Sequence, residues 1–308
     1  MLFVPIKDLS VKNKIAVERF LLQYEKYCVQ LSATIKRNIA DFYVVYNDEL
    51  FAKKIFGIFC VKKTILHIFP YFSFENVDST DLIREDFINS FVIFYKAHNF
   101  LNPLCINGEK KSSEVLLECF EKLFIKPVCV NKYNLLECKE KEFLLNLKKE
   151  VRKSEKLVQC EIIRCKKDIS PKNYAEILNL QIQYEKEEVV PSSFNFNEDL
   201  CRLRFSNSLK NQIIFALKNQ DGKFVCKAGT NAIGFKNVQL GGVFTLKEYR
   251  KNGFATVILK NLIFSLLKSK RKIVLFVNNQ NVLAQKLYNS LSFNKISDYL
   301  IAYFDHNL

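Results

Sequence analysis

The sequence predicts an α/β protein of two halves, each a mixed sheet flanked by helices. Three observations carry that expectation. Apolar spacing switches repeatedly between a period near 3.6 and a period of 2. One order of elements (helix, meander, helix, strand, helix, closing strands) occurs twice. The 308 residues also exceed what one compact α/β unit needs, so two domains of about 150 residues follow.

Taken in order, Val11 to Leu31 has apolar residues at helical spacing, and strands follow at Phe42–Tyr46, Ile55–Val61 and Ile65–Phe69. Asn47-Asp48 and Lys62-Lys63 supply the turns of that antiparallel meander. From Ser79 the period is helical through Phe94, with Asp81 and Glu85 as an acidic first turn, and Leu104–Asn107 is a short strand. Ser112 and Ser113 offer an N-cap for a helix to about Phe124, and Val128–Glu137 reads as further strands. Residues 1–139 thus form a first domain, 140–157 a Lys/Glu-rich helical connector and 158–308 a second domain.

In the second domain, strand Gln159–Cys165 leads to helices around Tyr174–Glu187 and Glu198–Ser206. Strands Gln212–Leu217, Phe224–Asn231 and Val238–Thr245 follow, then a Gly-containing loop and a helix over Thr256–Leu267. Strand Ile273–Val277, helix Val282–Leu291 and a last strand near Tyr299–Phe304 close the chain.

Composition narrows the function classes. Apolar residues make up 49% and charged ones 26%, as in ordinary globular proteins. The longest apolar runs resemble Ile55–Val61, far short of the roughly 20 residues of a membrane span, so no membrane partner is expected. Lys7 and Asp8 interrupt any secretory core at the start, which points to a cytoplasmic protein. Ten cysteines without a C-x-x-C pair, and only His67, His98 and His306 beside them, give no metal site and read as small buried hydrophobes. The formal charge of +15 favours polyanionic partners. Because the lysines are dispersed, apart from Lys148, Lys149, Arg152, Lys153 and Lys268, Lys270, Arg271, Lys272, nucleic acid stays in view without being favoured.

The chemistry-bearing stretch runs from Gly241 to Thr256, a strand, a turn and the start of a helix containing Arg250-Lys251-Asn252-Gly253-Phe254-Ala255-Thr256. Unpaired N–H groups at such a helix start face outward, and a glycine there lets a phosphate approach closely. Alone, that turn is equally an ordinary strand-to-helix connection. The second piece, Val277 through Asn281, Ala284, Leu287-Tyr288 and Leu291 to Phe293, is a strand whose polar end opens another helix.

Together, R-x-x-G-x-A after one strand and V-x-x-x-N-x-x-A-x-x-L-Y-x-x-L-x-F from the next resemble the GNAT superfamily of N-acetyltransferases. The resemblance covers about Glu161–Phe304, departing from the commonest pattern at Ala255 and Ser292, where Gly is usual. Lys227–Ala232 and Tyr184–Pro191 resemble a two-domain bacterial subgroup with a degenerate N-terminal half. It implies two GNAT-like halves, each a mixed, mostly antiparallel twisted sheet flanked by helices. Acetyl-CoA is the implied co-substrate, its pantetheine arm paired with Val243, Phe244 and Thr245 and its pyrophosphate held over Arg250–Thr256. Asn281 matches a position that hydrogen-bonds that arm, and Tyr288 matches the general acid for the leaving thiolate. Without the motif around it, Tyr288 reads as a core aromatic beside Leu287 and Leu291.

Glu187 and Glu188 are the candidate bases, with deprotonation through water as an alternative and solvated glutamates as the bland reading. The expected reaction is acetyl transfer to a primary amine by direct attack, with no metal and no covalent enzyme intermediate. A homodimer is the assembly the resemblance implies. The rival expectations are a CoA-sensing or nucleic-acid-binding module that keeps the fold without activity.

Overall fold

The computed structural model describes residues 1–47, 54–62, 67–73, 80–98, 100, 102–151, 160–190 and 194–305. The expected turn residues Asp48 and Lys63, the helix start at Ser79, and Arg152, Lys153, Gln159 and His306 lie outside them. Two compact units interleave along the chain, one comprising 1–135, 277–280 and 295–308, the other 136–276 and 281–294.

The first unit opens with β1 (Leu2–Pro5), α1 (Val11–Tyr24), α2 (Val29–Arg37) and the meander β2 (Asp41–Asn47), β3 (Lys54–Lys62), β4 (His67–Phe72). Next come α3 (Thr80–Ala97), β5 (Cys105–Glu109), α4 (Lys110–Lys122) and most of β6 (Pro127–Cys138). β1, too short for any period to register, pairs antiparallel with β2 from Leu2↔Tyr46 to Pro5↔Tyr43. The single helix expected over Val11–Leu31 is instead broken by a 3₁₀ turn at Glu25–Tyr27, where Cys28 takes an extended φ of −140°.

Strand alternation sorts the apolar residues onto two faces. Tyr43, Val45 and Phe59 pack with Phe87, Phe91 and Phe94 of α3. Phe42, Val44, Ile58 and Cys60 pack with Val17, Leu21 and Leu31 of α1 and α2. α4 starts two residues before the expected serine cap, because the buried Glu109 carboxylate accepts the Ser112 N–H at 3.2 Å.

At its other end, α4 closes in a Schellman turn. The Ile125 N–H reaches Phe120 O at 2.9 Å, and Phe124 sits at φ 61° with its side chain 94% exposed. A side chain at that left-handed position is strained and gains no burial. Phe124→Gly is therefore expected to stabilise the fold by about 1 kcal/mol in chemical denaturation; an unchanged or lower midpoint contradicts this.

The second unit holds α5 (Glu140–Val151), β7 (Glu161–Cys165), α6 (Pro171–Tyr184), α7 (Glu198–Asn211), β8 (Ile214–Lys218), β9 (Phe224–Ile233) and β10 (Asn237–Thr245). α8 (Phe254–Lys268), most of β11 (Lys272–Asn278) and α9 (Val282–Ser290) complete it. Its strands run β7-β8-β9-β10-β11, antiparallel except for the parallel β10–β11 pair. Ile177, Leu180, Phe205 and Phe244 share the core under α6 and α7, while the buried stripe Ile258, Leu259, Leu262, Ile263, Leu266 makes α8 a core helix. The closing strand β12 (Phe293–Phe304) returns to the first unit and pairs antiparallel with β5, Tyr299↔Glu109 to Tyr303↔Cys105.

Each unit therefore runs helix, meander, helix, strand and helix, and in each a parallel pair parts early. β4 and β5 are in register only at His67↔Cys105 and Ile68↔Ile106. β10 and β11 match from Asn237↔Lys272 to Leu240↔Leu275. Eight cysteines are buried, with Cys129 and Cys160 half-buried. Among the described residues, no helix is long and apolar enough to cross a membrane.

Candidate active site

The site grows from the point where β10 leaves β11. Beyond Leu240, β10 continues against β9 alone among the described pairings, and a bulge between Gly241 and Phe244 sets two residues, Gly242 and Val243, against one. Gly242 has φ 62°, a conformation that glycine adopts without strain. A Cβ on Gly241 would fall 1.9 Å from Asn231 Nδ2, so a side chain there would have to displace the exposed Asn231 amide. Val243, Phe244 and Thr245 form the released end of the strand, with Phe244 buried and the Thr245 hydroxyl donating to Cys226 Sγ at 3.2 Å.

The loop that follows carries its charge on a shaped backbone. Arg250 Nε donates to Thr245 O at 3.0 Å, tying the loop to the strand end, and its guanidinium lies 5.5 Å from the Phe244 ring centre. Lys251 at φ 65° and Gly253 at φ 78° are left-handed, and Asn252 Nδ2 donates to Tyr249 O at 3.3 Å. No side chain caps α8: Gly253 is its N-cap, and Phe254, Ala255 and Thr256 form its first turn. Their N–H groups face an end that the helix dipole makes positive, beside Arg250 and Lys251, which is the donor set a pyrophosphate requires.

A second wall comes from the end of α6, which passes at Tyr184 into a π-helical turn, Glu185–Val189. The wider turn swings Glu185 inward, where it is 4% exposed, held by Arg204 at 2.5 Å and by Gln181 Nε2 at 2.9 Å. Glu187 meets the loop instead, at 2.7 Å from Arg250 and 3.9 Å from Lys247 Nζ. Burial raises the Glu188 carboxyl above its ordinary value, the Glu187 charge adds to the rise, and Arg250 opposes it.

Tyr288 lies buried on α9, edge-on to Phe293 at 5.9 Å. Burial first, then Tyr184 and Glu188, push its phenol well above the ordinary tyrosine range, so it keeps its proton. Asn281 caps α9, its oxygen accepting the Ala284 N–H at 3.0 Å. The structure thus joins Phe244, Thr245, Arg250 and Glu187 by direct contact and sets Glu188 and Tyr288 within electrostatic reach. Asn281 enters as a cap, a use of the side chain that a motif does not reveal. Ser292 does adopt the left-handed backbone, at φ 63°, with its hydroxyl accepting from Asn146 Nδ2 at 3.2 Å.

The residue that motif reading passed over as a site residue is Lys227 on β9. It is 3% exposed, donates to Gly242 O at 2.8 Å and lies 4.4 Å from the Tyr184 ring centre. Its one legible sign was a charge inside the apolar run Phe224–Ala228. Burial lowers its ammonium to about 8. At this residue the unfolded chain therefore holds more protons above pH 8, so Lys227 contributes stability that rises with pH there. The thiols that burial raises, Cys165, Cys201 and Cys226 among them, pull the opposite way over the same range, because in the unfolded chain they begin to ionise below their ordinary value of 9.0. Between pH 8 and 9 we therefore expect stability to fall more steeply with pH in Lys227→Met than in the native chain, read from urea midpoints; equal slopes contradict the assignment.

The corresponding gap in the first unit is filled from inside. Ser112 Oγ accepts the Phe72 N–H at 3.0 Å and donates to Phe72 O at 3.4 Å, satisfying β4 where it has left β5.

Comparison with known proteins agrees with this fold. Residues 228–301, which include β10, the loop and α9, match the FR47-like protein family. A Drosophila protein of known structure aligns with TM-score 0.64 and 8% identity over 99% of each chain. A tandem GNAT protein from the clavulanic acid biosynthesis pathway aligns with TM-score 0.54 and 8% identity over 98% of this chain and 97% of its own. An acetyltransferase of the GNAT family from Colwellia psychrerythraea aligns with TM-score 0.54 and 12% identity over 99% of this chain and 100% of its own. No curated protein sequence matches the chain. At these identities the likeness to solved structures is one of fold, and that fold is the tandem GNAT fold the motifs resemble.

Proposed function

From that fold we infer that the second unit is an acyl-CoA N-acyltransferase that moves acetyl from acetyl-CoA to a primary amine by direct attack. The observation that carries the reading is the parting of β10 from β11 beyond Leu240, continued directly by the uncapped, basic start of α8. Together they offer free strand edge for an amide-bearing arm and N–H donors for phosphate. Val243–Thr245 would pair with the arm, Arg250–Thr256 would hold the pyrophosphate, and Asn281 would orient the arm at the start of α9.

The thioester brings its own acyl group, so the residues supply orientation and protons. Glu188 is the better placed base, since Glu187 is engaged by Arg250 and Lys247. Its raised carboxyl suits taking a proton from the acceptor ammonium, directly or through one water. The amine nitrogen then bonds to the thioester carbon, a backbone N–H of the bulge stabilises the oxyanion, and the C–S bond breaks. Tyr288, kept protonated by burial, gives its proton to the departing thiolate, and the surplus N–H proton of the new amide leaves to solvent, from which the phenol is reprotonated.

The test is acetyl-CoA-dependent thiol release with a panel of polyamines, amino acids and lysine peptides. Acceptor-dependent release is the expected result. Acetyl-CoA binding without turnover on any amine would overturn the enzyme and leave a sensor; catalysis needs Tyr288 and Glu188, whereas binding alone does not.

A further inference from the structure

A buried ammonium beside the bulge has no part in the scheme above, yet it is the group that shapes the bulge. Lys227 stands opposite Phe244 in the β9–β10 register, on the strand that keeps β10 company after β11 has left. Its Nζ donates to Gly242 O at 2.8 Å, and Gly242 leaves it room: a Cβ there would lie 3.1 Å from Nζ. Across a planar trans peptide the carbonyl and the following N–H point in opposite directions. Drawing Gly242 O toward the Lys227 ammonium therefore turns the Val243 N–H away from it. A charge-assisted bond in a water-poor interior holds that orientation more firmly than a neutral one.

We propose that Lys227 is the positioning residue of the acyl-transfer site, locking the Gly242–Val243 peptide so that the Val243 N–H is the donor aimed at the thioester carbonyl. The inference rests on the acyltransferase reading and deepens it by naming which bulge N–H forms the oxyanion donor and what sets it. The surroundings of Lys227 fit a permanent fixture. Tyr184 covers it from the end of α6, and Cys165 of β7, Cys201 of α7 and Cys226 of β9 are neutral thiols at physiological pH. Glu185, the facing carboxylate, is already bonded to Arg204 and Gln181 and adds attraction without capturing the ammonium.

The test reads the carbonyl itself. Acetyl-CoA labelled with carbon-13 at the thioester carbonyl is bound to the native chain and to Lys227→Met, and its stretch is recorded by isotope-edited infrared spectroscopy. Free CoA is titrated calorimetrically in parallel. The expected result is a red-shifted stretch in the native chain that disappears in Lys227→Met, while the affinity for free CoA changes by less than about threefold. A shift retained in the variant overturns the proposal, as does a native complex with no shift. Absence of acetyl-CoA binding by the native chain would instead overturn the acyltransferase reading on which it rests. Should Lys227→Met fail to fold, the native complex followed from pH 7 to 9 decides: the shift weakens as Lys227 loses its proton, and a constant shift sinks the idea.

Discussion

Replacing Tyr288 by Phe is expected to lower kcat for amine acetylation by about 10²–10⁴-fold, the range of a single well-placed general acid. Acetyl-CoA should bind the variant as it binds the native chain. The substitution removes one oxygen from a residue that is 8% exposed and packs edge-on to Phe293, so the ring and its packing stay. Burial keeps the phenol protonated, which makes it a proton store beside Glu188 and Tyr184. Steady-state kinetics with saturating acetyl-CoA separate the two readings of this side chain: an undiminished kcat returns Tyr288 to the role of core aromatic.

Phe59→Ala is expected to cost about 3–5 kcal/mol, the usual range for truncating a fully buried phenylalanine. Phe59 has no exposed surface and its ring lies within 6.5 Å, centre to centre, of Phe3, Tyr43, Phe72, Phe91 and Phe94. Five ring partners fix the walls of the resulting cavity, so it collapses poorly. Denaturant titration of the whole chain should show the transition assigned to the first unit at a lower midpoint. A change under 1 kcal/mol would mean that this aromatic face repacks freely.

Where sequence and structure agree, the reason is periodicity. The stripe from Ile258 to Leu266 has the spacing of a core helix, and the short β-branched and aromatic run in Asp41–Asn47 is a strand with both faces covered. The loop from Arg250 to Thr256 was legible because left-handed Gly253 and the basic pair before it occupy neighbouring positions in sequence. What escaped is non-local. β1 is four residues long, and only its ladder with β2 makes it a strand. The cap of α4 fell to Glu109, a poor capping type, because burial against Ser112 and Ser297 outweighs intrinsic preference. The return of β12 to β5 across nearly two hundred residues leaves no local trace. Lys227 stood in the sequence as the start of a subgroup-like stretch, and its bond to Gly242 O at the bulge is non-local.

The π-helical turn teaches the same lesson in miniature. Glu185, Glu187 and Glu188 are neighbours in a charged run, yet one is buried on Arg204, one clamps Arg250 and one lies within electrostatic reach of Tyr288. A single inserted residue per turn changes which way each carboxylate points.

The central claim is that the end of β10 and the start of α8 hold acetyl-CoA, and calorimetric titration of the purified chain with acetyl-CoA tests it most directly. We expect saturable binding by the native chain, and an affinity about 100-fold weaker, ~2.7 kcal/mol, in the Arg250→Glu, Gly253→Trp double variant, which reverses the loop charge and fills the glycine's approach. Equal binding by the native chain and the variant, or no binding by the native chain, would contradict it.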